Sequence, residues 1–115
     1  MHVQTSFAVQ ANDIGEVVAK LSELLGLSFV PHESSYRGEY YRHEGEAGSM
    51  VIVALNKDPM YRVGDPEEQQ FMESAFRELA VLVHVTVPAE WESRFKQAVL
   101  AVGSKVVEVR RNAAA

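Results

Sequence analysis

Val3, Thr5, Phe7 and Val9 recur at period two, the signature of a strand with one buried face, and predict a first strand over residues 3–9. The period then changes. Ile14, Val17, Val18, Leu21, Leu24 and Leu25 fall on one stripe at helical spacing. Asp13 is placed to cap the amino end of this helix, Glu16 completes a capping-box pattern, and Gly26 stands where a carboxyl cap belongs. Residues 27–31 predict a second strand, which leads through a tyrosine-rich turn into a third over 39–44. The unbroken apolar run Met50-Val51-Ile52-Val53-Ala54-Leu55 predicts a central strand covered on both faces. A second such run, 79–87, ends at Pro88. Trp91, Phe95, Ala98, Val99 and Val102 then form another helical stripe, expected to stop at Gly103 before a last strand over 105–110.

Between the two apolar runs, Asn56, Asp58-Pro59, Gly64 and Asp65-Pro66 mark turns, so residues 56–77 read as a long surface loop with a short helix within 67–75. Strand, turn, helix, glycine and strand occur in the same order at 3–34 and again at 80–110. Two such units predict an α+β fold, a ferredoxin-like variant with two helices on one face of a mostly antiparallel sheet, the strand at 50–55 being an addition. Ile14, Val18, Leu21, Leu25, Ile52, Val53, Leu82, Val83, Trp91, Phe95 and Val99 are expected to share one core. A length of 115 residues fits a single domain, here 1–112, with Ala113-Ala114-Ala115 expected to be a tail outside the fold.

Composition narrows the chemistry. The chain is 47% hydrophobic and 23% charged, the balance of an ordinary globular domain. It has no cysteine, which removes disulfides, zinc–thiolate sites and thiol nucleophiles and suits a reducing cytoplasm. No stretch approaches the ~18 apolar residues needed to span a bilayer, and Met1-His2-Val3-Gln4 lacks the basic start of a signal segment, so neither membrane nor export is expected. A formal charge of −5 argues against a nucleic-acid partner and favours a basic protein.

Glycine-rich phosphate loops and the serine-hydrolase elbow are both missing from the sequence, and no cofactor is expected. His2, His32, His43 and His84 show no metal-ligand spacing with Glu33 or Glu44, so no metal site is expected. His84, which interrupts an apolar strand, reads either as a satisfied strand residue or as a catalytic base lacking an identified partner. The segment from Pro31 to His43 concentrates tyrosine and arginine, the side chains most used as anchors at protein interfaces; alternate tyrosines in a hairpin also serve simply to pack a sheet.

Within that segment, Ser35-Tyr36-Arg37-Gly38-Glu39-Tyr40-Tyr41, between an apolar helix and a buried strand, resembles a pattern in small bacterial immunity proteins paired with polymorphic or contact-dependent toxins. The resemblance implies a cytoplasmic, non-enzymatic protein that binds and neutralises a cognate toxin domain, such as a nuclease. The expected partner-binding residues are Tyr36, Arg37, Tyr40 and Tyr41 as anchors, with Asp58, Asp65, Glu67 and Glu68 meeting a basic cleft. Two other readings stand beside it: a small-molecule-binding or regulatory ferredoxin-like domain, and a small enzyme using His43 or His84 with a glutamate.

Overall fold

Asp13 starts the first helix as its sequence predicts: its Oδ1 accepts the Glu16 N–H at 2.8 Å, and Gly26 ends the helix in the left-handed region at φ 66°. The computed structural model describes residues 1–35 and 38–113, with the backbone alone for Glu67 and Glu68. In chain order the elements are β1 (His2–Val9), α1 (Ile14–Leu25), β2 (Val30–Ser34), β3 (Gly38–Glu44), β4 (Met50–Leu55), β5 (Val81–Pro88), α2 (Glu92–Leu100) and β6 (Val106–Ala113). The strands form one sheet in the order β2-β3-β4-β5-β1-β6, and every neighbouring pair is antiparallel.

With the hairpin β2–β3 set aside, the remaining order β4-β5-β1-β6 and the connections β1-α1-β4 and β5-α2-β6 are those of the split βαβ plan. The α+β expectation therefore holds. The additional piece is the hairpin that precedes β4, not β4 itself, which is a core strand beside β5.

Both helices lie on one face of the sheet. Val17 and Leu21 of α1, and Phe95, Ala98 and Val99 of α2, pack with Phe7, Val9, Val51, Val53, Val81, Val83, Val85 and Val87 in one buried cluster. Ile14, Val18, Leu25 and Trp91 join it half-buried. Leu82 and Ile52 do not share this core, contrary to expectation. Strand side chains alternate between faces, so the neighbours of Val81, Val83, Val51 and Val53 must point the other way. Leu82 instead packs with Ala8 and Leu79 in a second, smaller cluster completed by Phe76, Val107 and Val109.

The second strand starts at Val30 and not at Leu27; Leu27 and Phe29 pack against the main core before the chain enters the sheet. The last strand runs on to Ala113, which pairs with Val3. Gly103 is not a helix cap. A Cβ there would lie 2.7 Å from the Gln10 carbonyl oxygen and 2.9 Å from Val9 Cγ1, so glycine is required by the close approach of two chain segments. Opposite β1, β6 carries one extra residue: Phe7 pairs with Glu108 but Ser6 with Arg110, which leaves Val109 as a bulge.

The long connection from β4 to β5 holds two single 3-10 turns, Glu67–Gln70 and Ser74–Phe76, and no α-helix. Its anchor is Asn56, only 1% exposed. The Asn56 amide nitrogen donates to the carbonyls of Glu73, Phe76 and Leu79 at 3.0–3.2 Å, and its oxygen accepts the Glu73 N–H at 2.8 Å. One buried side chain thus satisfies backbone groups that no sheet or helix could.

Candidate binding surface

The face of the sheet turned away from the helices is assembled by register. Across one row lie Val30, Arg42, Ile52, His84, Ser6 and Arg110, each directly opposite the next. The adjacent row is His32, Tyr40, Ala54, Leu82, Ala8 and Val107. The connection 56–80 folds back over one end of this face, burying Leu79 against Leu82 and Ala8. Arg110 fixes it there through an ion pair with Glu73, whose side chain is 18% exposed.

In the middle of the face, His84 Nδ1 and Ser6 Oγ are 2.8 Å apart. Beside them, an open cleft of about 390 Å³ runs between the sheet and the connection. Its floor is Ala54, Leu55, Leu82 and His84, and its rim is Asp58, Met60, Met72 and Glu73. A shallower depression on the other side of His84 is lined by Gln4, Ser6, Met50, Ile52 and Thr86 among others.

Of the tyrosines expected at the interface, Tyr40 lies on this face, stacked on His32 with ring centroids 5.4 Å apart and planes 16° apart. Tyr41 is opposite Val53, on the helix side, so the two adjacent tyrosines serve different faces. Tyr36 and Arg37 lie outside the described residues, as do the side chains of Glu67 and Glu68. Arg42, next in the row to Ile52, pairs with Glu44, while its buried Nε has no hydrogen-bond partner among the described residues.

The acidic positions of the connection have local roles of their own. Asp58 Oδ1 accepts the Met60 N–H at 2.9 Å, and Asp65 Oδ2 accepts the Arg62 N–H at 2.9 Å. The first is an aspartate turn in which the carboxylate replaces a backbone carbonyl, whereas Asp65 closes the 62–65 turn by reaching back to a residue three positions earlier. Asp65 is fully on the surface and Asp58 is half-buried at the cleft.

The four histidines do not converge. His2 bonds the Ala47 carbonyl, His32 stacks on Tyr40, His43 Nδ1 bonds the Ser28 carbonyl at 2.9 Å, and His84 meets Ser6. The His43 bond places the proton on Nδ1, because a carbonyl can only accept. Sequence reasoning singled out His84 but missed Ser6, Met60 and Met72. Strand parity already puts Ser6 and His84 on the faces opposite Phe7 and Val83; the pairing register that sets them side by side is what the sequence leaves open. In comparison with known proteins, no family model matches the chain and no curated protein matches it.

Proposed function

We propose that this chain is a non-enzymatic binding protein whose working surface is the helix-free sheet face, bounded by the β2–β3 hairpin and the 56–80 connection, and that its partner is a toxin domain which it neutralises in the cytoplasm. The observation that carries the binding reading is the uncovered centre of that face. Ser6 and His84, with Arg42 and the Tyr40–His32 stack of the hairpin beside them, lie exposed or half-buried on this face. Large aromatic and arginine side chains in such a setting are the usual short-range anchors of protein interfaces.

The toxin partner rests on the resemblance of Ser35–Tyr41 to immunity proteins, and two further features support it. The net charge of −5 suits a basic partner, and Asp58 at the cleft rim and Asp65 on the exposed part of the connection are both held by local hydrogen bonds. Inhibition by this route is occlusion of a cleft, with no chemistry on the partner. Tyr36, Arg37, Glu67 and Glu68 remain anchors and steering charges on the grounds of sequence, whereas Tyr41, opposite Val53 on the helix side, is not part of this surface.

Co-purification with the product of the adjacent gene, followed by binding kinetics, tests this reading. Tyr40→Ala is expected to speed dissociation about tenfold, the loss of a moderate hot spot. Asp58→Asn with Asp65→Asn retains both turn-forming oxygens but removes two charges; it should slow association and flatten its salt dependence. A partner whose kinetics ignore both changes, or the lack of any partner, sinks the assignment.

A further inference from the structure

We infer that the cleft beside His84 is a small-molecule site for a flat apolar ligand bearing a protonated amine. Its size of about 390 Å³ and its composition, a mostly apolar wall with a few convergent polar groups, are those of ligand pockets in general. The floor is made by strands of the sheet and is therefore rigid. The opposite wall is made by Met60 and Met72, which are 61% and 38% exposed, a high exposure for large apolar side chains. Thioethers are polarisable and take up many rotamers, so they adapt to a planar ring and make favourable contacts with it.

Charge chooses the polar end of the ligand. Among the described residues, the cleft is lined by two carboxylates and no lysine or arginine. Glu73 is neutralised by Arg110. Asp58 has no such cation among the described residues: its Oδ1 is engaged by the Met60 amide, and its charge is not balanced by an ion pair. A ligand ammonium at Asp58 would recover the missing charge-assisted hydrogen bond. An anionic ligand of the same shape would place a carboxylate against a carboxylate.

The site would also be held in place independently of any partner protein, because Asn56 and the Glu73–Arg110 pair fix the connection that forms its outer wall. The proposal therefore stands apart from the toxin reading, and either can fail alone.

Three probes with one ring system separate the outcomes: tryptamine, indole and indole-3-acetate, titrated into the full chain and followed by amide NMR shifts. Tryptamine should shift the amides of Ala54, Leu55, Asp58 and Leu82 and bind about tenfold more tightly than indole-3-acetate, the range of one charged hydrogen bond. Indole should fall between them. Asp58→Asn, which keeps an oxygen for the Met60 amide, should collapse the order so that amine and acid bind within about twofold of the neutral ring. Indole-3-acetate binding as tightly as tryptamine overturns the proposal, as does an unchanged preference in Asp58→Asn. So does the absence of shifts at these amides with all three probes at millimolar concentration.

Discussion

Asn56 holds a connection of more than twenty residues with one side chain. Replacing it with alanine strands the carbonyls of Glu73, Phe76 and Leu79 and the Glu73 N–H away from their partner. A buried group left unsatisfied costs about 1–3 kcal/mol, and rearrangement will recover part of the sum, so Asn56→Ala should destabilise the fold by about 3 kcal/mol in urea unfolding. Limited proteolysis should move to residues 56–80. Gly103 makes the opposite kind of demand, for space. Gly103→Ala drives a methyl into the Gln10 carbonyl, and a loss of about 2 kcal/mol is expected, typical of overpacking where backbone must shift. The sequence marked both residues as punctuation, a turn former and a helix stop. Their true roles depend on which distant segment they meet, and nothing local encodes that.

Among the elements, α1 was the most legible because one short stretch holds its whole specification: cap, apolar stripe and terminal glycine. The connection 56–80 was least legible, since its shape comes from Asn56, from Leu79 packing on Leu82, and from the Glu73–Arg110 pair, all contacts across long sequence separations. The α2–β6 contact adds a pH dependence. Glu92 accepts hydrogen bonds from the Arg111 guanidinium, and that bond, with the cation's field, holds its carboxyl below the ordinary glutamate range despite some opposing desolvation. A carboxyl depressed in the folded state binds its proton more readily when unfolded. Its stabilisation is therefore complete above the ordinary glutamate range and fades as pH falls through the depressed folded value. Glu92→Gln should flatten the acid limb of a stability–pH profile and leave the neutral limb parallel to the parent; an acid limb of unchanged steepness would assign the sensitivity to other carboxylates.

At the scale of the whole molecule, the alternation along β1, β4 and β5 was readable as strands but not as two distinct faces with different company. The uninterrupted apolar runs suggested burial on both sides, and only the pairing order shows that one side meets helices while the other meets a connection and then open space. That division predicts unequal costs. Leu21→Ala opens a cavity beneath both helices and should cost about 2–5 kcal/mol in chemical denaturation. Tyr40→Ala, on the open face, should leave the midpoint nearly unchanged while affecting binding. A large stability loss from Tyr40→Ala would mean that the stacked pair belongs to the structure and not to the working surface.

The single extra residue in β6 has a consequence for how this chain can vary in length. Glu108, which meets Lys96 of α2, and Arg110, which meets Glu73 of the connection, are two positions apart and in a regular strand would project to the same side. Val109 breaks that parity, so that one strand is tied to the helix layer through Glu108 and Arg111 and to the opposite layer through Arg110. Pairing every residue without the bulge would put Arg110 opposite Thr5, toward α2, and Arg111 on the open face, whereas deleting Val109 would close the bulge and leave Arg110 opposite Ser6 and Arg111 opposite Thr5. At this point β6 can lose one residue without changing which layer either arginine meets.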